Sequence, residues 1–306
     1  DVNQTITVKE AKSKLEYLNR EPANYLFEKV ENGINFTHTE NNYDDFKTEV
    51  LLPYKQSTLG PFFTTGDVNN DGMDDIFIGS AKNQKSELFI NKSGKFIKKN
   101  IKVFEEDSKY EDMESILIDI DNDGDLDLYV VSGGNEFNNR STELTDRIYI
   151  NDGNGNYSKD EQNDINNYTI SGKTVSSIDY DNDGDNDIII GNRIQTKKYP
   201  IHEPSIIYEN ILGKFYNNTY NIAPEYENFG IVNKVITTDF NNDGWEDFIA
   251  VGEWTNIGLF LNEEGKFRNI SKENKIEDIY GLWFNIQETD VNNDGLKDYL
   301  IGNIGN

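Results

Sequence analysis

Cysteine is absent from this 306-residue chain. Disulfides, thiolate zinc sites and cysteine nucleophiles are thereby excluded, and the redox compartment stays open. Histidine is scarce: only His38 and His202 occur, far apart in sequence. No apolar run approaches the roughly 18 residues that a membrane-spanning helix needs. No charged-then-apolar leader opens at Asp1, which predicts a mature form, a fragment or a cytosolic chain. Positive charge is in short supply, with 29 Lys and Arg against 56 Asp and Glu and a formal net charge of −27. Such a chain repels phosphate backbones, so a general nucleic-acid binder is excluded. Apolar residues make up only 35%, which alone would point to disorder, but 17 Tyr, 17 Phe and 3 Trp do not fit a disordered tail. The balance predicts a folded, acidic, loop-rich protein, long enough to bury a sizeable core.

The acidic residues are patterned. Asp-x-(Asn/Asp)-x-Asp-Gly-x-x-Asp occurs five times: DVNNDGMDD from Asp67, DIDNDGDLD from Asp119, DYDNDGDND from Asp179, DFNNDGWED from Asp239 and DVNNDGLKD from Asp290. Successive starts lie 52, 60, 60 and 51 residues apart, a period that signals an array or a propeller. Oxygens at positions 1, 3 and 5 converge when the chain curls, the glycine at position 6 permits the turn, position 7 offers its carbonyl and position 9 adds a carboxylate. A hard cation such as Ca²⁺ is ringed in this way. The expected ligand sets are Asp67, Asn69, Asp71, Met73 and Asp75; Asp119, Asp121, Asp123, Asp125 and Asp127; Asp179, Asp181, Asp183, Asp185 and Asp187; Asp239, Asn241, Asp243, Trp245 and Asp247; and Asp290, Asn292, Asp294, Leu296 and Asp298, with position 7 contributing backbone. About five Ca²⁺ are expected. A solvated Asx-Gly turn would explain one copy, but it does not require an acid at position 9 in all five. Without cations these carboxylates repel, so chelation is expected to loosen the protein.

An EF-hand needs a Glu at position 12 and a helix after it. Here position 12 is Ile78, Val130, Ile190, Ala250 and Ile301, each inside a short apolar β-rich run. Another strand-like segment precedes each loop, such as FFTTG from Phe62 and KVITT from Lys234. After the first four loops comes a strand–turn–strand pattern: LFINKSGKFIKK from Leu88, IYINDGNGNYSKD from Ile148, IIYENILGKFYNN from Ile206 and GLFLNEEGKFRNI from Gly258. Each repeat therefore predicts four antiparallel strands, the blade of an all-β propeller. YLFEKVENGINFTH from Tyr25 is a looser hairpin copy. Residues 1–24 are expected to be a polar helical lead-in or linker, and residues 25–306 the propeller.

On these loops, together with GINFTH from Gly33, YDDFKTEVLLP from Tyr43, GGNEF from Gly133, KYP from Lys198, GEW from Gly252 and the terminal GNIGN, the chain resembles the FG-GAP/VCBS repeat proteins, whose blades also build integrin α-subunit heads. It is most similar to the bacterial branch related to cartilage acidic protein, common among surface or secreted proteins of Bacteroidota. The resemblance covers about residues 25–306. It implies six or seven blades, so the fifth blade, which lacks a hairpin pattern before Asn306, is expected to belong to a larger propeller. The alternative is a five-bladed ring closed by the Tyr25 hairpin.

All five loops are expected on one face, leaving the opposite face to partners. The links there gather positive charge at Arg140, Arg193, Lys197 and Lys198, beside Tyr199 and His202. This predicts a site for an acidic glycan or a protein partner within a surface assembly. Trp245, Trp254 and Trp283 are expected to pack between blades rather than to stack on sugars. No unrepeated acid pair, nucleophile elbow or phosphate loop appears, so no enzyme is expected. The alternative is a propeller-based polysaccharide lyase or glycoside hydrolase using His202 with Arg193 or Tyr199. Millimolar extracellular calcium suits such loops, which predicts a location outside the cytoplasm, at the cell surface or associated with an outer membrane.

Overall fold

The computed structural model describes residues 30–304. The chain divides into residues 1–32 and residues 33–306. In the first unit only residues 30–32 are described, and they form neither helix nor strand. The expected lead-in at 1–24 lies outside the described residues.

The second unit is a succession of antiparallel sheets. The first blade holds β1 (Phe63–Gly66), β2 (Asp75–Ile78), β3 (Glu87–Lys92) and β4 (Lys95–Lys99) in chain order. The second holds β5 (Asp112–Ile118), β6 (Asp127–Ser132), β7 (Arg147–Asn151) and β8 (Tyr157–Lys159). The third holds β9 (Gly172–Ile178), β10 (Asp187–Asn192), β11 (Ile206–Ile211) and β12 (Lys214–Asn217). The fourth is built from β13 (Ile231–Thr238), β14 (Asp247–Thr255), β15 (Gly258–Asn262) and β16 (Phe267–Asn269). A fifth begins with β17 (Gly281–Thr289) and β18 (Asp298–Asn303). The first strands β1, β5, β9, β13 and β17 are neighbours in that order, so the blades radiate from them. This is an all-β propeller of four-stranded blades, as expected.

The second strands of the second, third and fourth blades are apolar on both sides because both sides are buried. Successive side chains of a strand point to opposite faces. In β6, Leu128 and Val130 pack with Phe77 and Leu88 of the first blade, while Tyr129 and Val131 pack with Ile188 and Ile190 of the third. In β10, Ile189 turns instead towards Val235 and Phe248 of the fourth blade. In β14, Phe248 and Ala250 face back and Ile249 and Val251 face forward, onto Trp283 and Ile286. A slip of one residue would exchange these faces, so the two-sided core fixes the register.

Two features differ from the sequence reading. β14 is long, and its end also pairs with β17, Glu253 opposite Leu282 and Thr255 opposite Gly281, which fuses the fourth and fifth blades into one six-stranded sheet. GINFTH forms no strand: Thr39 N donates to Gln84 Oε1 at 2.9 Å, and Gly33 lies against the Phe96 carbonyl, both in the first blade. Residues 33–39 therefore lie beside the first blade, and residues 25–29 of the expected hairpin lie outside the described residues. Among the described residues, β18 has no further strand on its outer edge, and Leu300 is exposed.

One repeated side chain joins the blades. The last residue of the hairpin's apolar stretch is Asn91, Asn151, Asn210 or Asn262. Asn210 Nδ2 donates to the Ile120 carbonyl of the preceding blade at 2.8 Å and to the Asn186 carbonyl of its own at 3.2 Å, while its Oδ1 receives Gly213 N at 2.9 Å. Asn151 joins Val68 to Leu126, and Asn262 joins Tyr180 to Glu246, in the same manner. Among the described residues Asn91 reaches only its own blade, at the Asp74 carbonyl, and it is half-buried. Asn210→Ala leaves several buried groups unpaired and is expected to cost about 2–4 kcal/mol. Asn91→Ala should cost less than half as much. Urea midpoints of the two variants check this, and equal losses would refute the inter-blade role.

Candidate functional site

Each acidic loop joins the first and second strands of its blade, so all five lie on the same side. The position-1 carboxylate organises the curl. In the third loop Asp179 accepts Asp183 N at 3.1 Å and Gly184 N at 3.2 Å, and the other four loops repeat the pair. Position 5 then accepts the N–H of position 7, as from Asp185 to Asp183 at 2.9 Å. Two residues take left-handed backbone: the position-6 glycine, at φ +93° for Gly184, and the position-4 asparagine, at φ +59° for Asn182. A Cβ on Gly184 would meet nothing within 4 Å, so the glycine is required by its φ and not by crowding. Asparagine tolerates this region better than other side chains, which accounts for Asn at position 4 of all five loops.

The position-9 carboxylate does more than face the loop. Asp187, 1% exposed, accepts Tyr180 N at 3.2 Å from its own loop and Asn210 N at 2.7 Å from the third strand. Asp75, Asp127 and Asp247 make the same two bonds. Asp298 receives Val291 N at 2.9 Å, and its blade shows no third strand among the described residues.

The donor set fits a hard divalent cation. Carboxylate oxygens of Asp119, Asp121 and Asp127 lie within 4.8 Å of one another, as do those of Asp179, Asp181 and Asp187. In the other loops position 3 is Asn69, Asn241 or Asn292, so fewer acids converge there. Among the described residues, buried Asp181 Oδ1 and Asp125 Oδ1 have no hydrogen-bond partner. Burial, reinforced by neighbouring acids, pushes Asp127 up to about 7 and Asp187 up to about 8. Asp125 and Asp247 are each pushed up to about 6 by the same causes. In the first loop a hydrogen bond from Lys92 holds Asp71 below its ordinary range. A bound cation would supply the positive charge these crowded oxygens lack, and the side chains at positions 1, 3, 5 and 9 with the position-7 carbonyl would hold it.

On the opposite side of the blades run the links between second and third strands, crossed by residues 37–57. Asp45 is fully buried and accepts Ser57 Oγ at 2.6 Å and Asn135 Nδ2 at 3.0 Å. Asn135 also donates to Glu49, whose other oxygen receives Tyr199 N at 2.7 Å. Tyr199 OH receives Trp254 Nε1 at 2.5 Å and donates to Glu253 Oε2 at 3.4 Å. Glu253 pairs with Arg193 at 2.7 Å, and Tyr54 OH donates to Glu253 while accepting from Arg193 at 2.8 Å. The Tyr54 ring meets Phe284 of the fifth blade at 5.0 Å. One network thus crosses the blades, assembled from the YDDFKTEVLLP, GGNEF, KYP and GEW segments.

This placement revises the expected basic surface. Arg193 is 3% exposed and committed to Glu253, so it is not offered to a surface partner. Arg140 is half-exposed and paired with Glu203 at 3.0 Å, and His202 Nδ1 lies 3.2 Å from the Glu203 carbonyl. Lys197 donates to Asn138 at 2.8 Å, and Lys198 is exposed. Of the tryptophans, Trp283 packs in the core as expected and Trp245 is half-buried in its loop, but Trp254 is 62% exposed. The hairpin asparagines and the position-4 asparagines were missed, although each recurs at a fixed place in the repeats and could have been found by aligning the repeats with one another.

The FG-GAP-like repeat model matches residues 67–130, 119–190 and 239–301, together more than half of the chain. The chain belongs to the FG-GAP-like repeat family. No curated protein matches it. Among solved structures, an Agrocybe aegerita lectin that recognises non-reducing terminal N-acetylglucosamine is similar at 15% identity and TM-score 0.49, over 80% of this chain and 61% of the lectin. The V. cholerae biofilm matrix protein Bap1 is similar at 15% identity and TM-score 0.40, over 81% of this chain and 37% of Bap1. A Bacillus licheniformis rhamnogalacturonan lyase is similar at 13% identity and TM-score 0.26, over 78% of this chain and 39% of the lyase. The chain thus spans less than two thirds of each. No helix among the described residues is long and apolar enough to cross a membrane.

The raised carboxylates fix a pH dependence. Between the ordinary carboxylate value near 4 and about 8, the metal-free fold holds protons that the unfolded chain has released, so these groups make stability fall as pH rises through that window. The same protons must leave before a cation is held. Urea midpoints in a chelator are expected to decline from pH 5 to pH 8, and saturating Ca²⁺ to remove the decline. A chelated protein that gains stability over that range would contradict the assignment.

Proposed function

We propose that this propeller is a calcium-stabilised binding module, at work outside the cytoplasm, that engages an acidic glycan or a protein partner through its link side. The observation that carries the reading is a division of labour. The five repeated acidic loops lie on one side, and the irregular segments meet in a single hydrogen-bonded network on the other. The loops then serve the fold itself, since one Ca²⁺ in each, held by the positions set out above, stiffens the turn between the first two strands. The links vary in length and carry side chains that the repeat does not need, as expected of residues retained for recognition. Millimolar calcium outside cells suits loops of this kind, and a surface or outer-membrane-associated location follows.

Two measurements test this reading. Metal analysis of protein equilibrated with millimolar Ca²⁺ is expected to give one ion per loop. Binding of the calcium-loaded protein to acidic glycans and to surface-protein fractions is then compared with that of a Lys197→Glu, Lys198→Glu double variant. Retained partners should be lost on this charge reversal. A calcium-free protein, or partners indifferent to the double variant, would refute it.

A further inference from the structure

Trp254 is the residue that the link-side network presents to solvent. It sits at the register shift between Glu253 and Thr255, where β14 leaves β13 and pairs with β17. Bulges of this kind re-aim side chains. Its backbone is left-handed, at φ +59°, a conformation that a bulky side chain adopts only when its surroundings impose it. The indole N–H is consumed by Tyr199 OH at 2.5 Å, and Tyr199 donates in turn to buried Glu253, which Arg193 pairs. The residue is 62% exposed, and with its N–H held by Tyr199 the ring is what it offers a partner. Three further non-glycine residues of the links share the left-handed backbone, Asn83 at φ +66°, Arg140 at φ +64° and Lys197 at φ +66°.

Charge defines the chemistry beside it. Lys198 directly precedes Tyr199, and neither Lys197 nor Lys198 forms an ion pair among the described residues. In a chain with a net charge of −27 these cations bond neutral amides, Lys197 at Asn138 and Lys198 at Gln195. An exposed aromatic side chain held through Tyr199, which follows two lysines that form no ion pair among the described residues, suits a ring with an apolar C–H face and an anionic substituent, which is the chemistry of a uronic acid residue.

Resting on the link-side reading above, we infer that Trp254 is a stacking platform for one pyranose ring of a uronate-containing oligosaccharide, whose carboxylate is drawn by Lys197 and Lys198. The attraction is local, since the protein as a whole repels anions, and binding should weaken as salt rises.

The test titrates calcium-loaded protein with a hyaluronan hexasaccharide, an oligogalacturonate hexasaccharide and neutral maltohexaose by calorimetry. An acidic hexasaccharide is expected to bind and maltohexaose not to. Trp254→Gly is the informative variant, because glycine accepts the left-handed backbone without strain. It should keep the wild-type calcium content and cooperative unfolding and weaken binding about tenfold, the scale of one stacking contact. Trp254→Phe should fall between, and Lys197→Ala with Lys198→Ala should flatten the salt dependence. Three outcomes would overturn the inference: undiminished binding to Trp254→Gly, maltohexaose bound as tightly as the acids, or no acidic hexasaccharide bound at millimolar concentration. A protein partner lost on charge reversal at Lys197 and Lys198, but kept by Trp254→Gly, would defeat the platform while leaving the link-side reading intact.

Discussion

A buried aspartate that answers two backbone N–H groups at once holds each complete blade together. Asp75, Asp127, Asp187 and Asp247 each take one bond from the acidic loop and one from the third strand, so the loop cannot open without disturbing the sheet. Hydrogen bonds to a charged acceptor are among the stronger ones a protein makes. Here they also set a conflict. The same carboxylates are crowded by the acids of their own loops, and burial opposes their ionisation. The fold therefore concentrates repulsion at the points on which its sheets depend, and a cation or a proton must be present to relieve it.

That conflict explains how the charge is distributed. The loop side carries acids that the chain cannot neutralise itself, apart from contacts such as Lys92 with Asp71. On the link side Arg193 pairs with Glu253 and Arg140 with Glu203, Asn135 donates hydrogen bonds to Asp45 and Glu49, and burial with neighbouring acids pushes Glu111 up to about 8. The first side is organised by local sequence, the second by contacts between distant segments.

The difference decides what could be read in advance. The loops, the strands flanking them and the hairpins were legible because everything they need lies within a few residues and recurs five or four times. The side of the blade that each apolar residue faces also follows from alternation, once both faces are known to be buried. The link-side network was not legible. Tyr54 and Glu253 are 199 positions apart, and Arg193 is 139 from Tyr54. Nothing local marks Arg193 as a buried ion-pair partner instead of a surface cation. Trp254 escaped for another reason: its exposure comes from a register shift in β14, which leaves no trace in hydrophobic pattern.

The asparagine contacts between blades run in one direction. Asn151, Asn210 and Asn262 each reach back to a carbonyl that belongs to the blade made before them, and none of the three reaches forward to a later one. A chain emerging from the ribosome delivers its amino-terminal blades first, and domains tend to fold in that order. Each new hairpin then meets an acceptor already in place on its predecessor. Growth of the wheel during translation is templated from behind, so no blade has to wait for its successor before its own asparagine is satisfied.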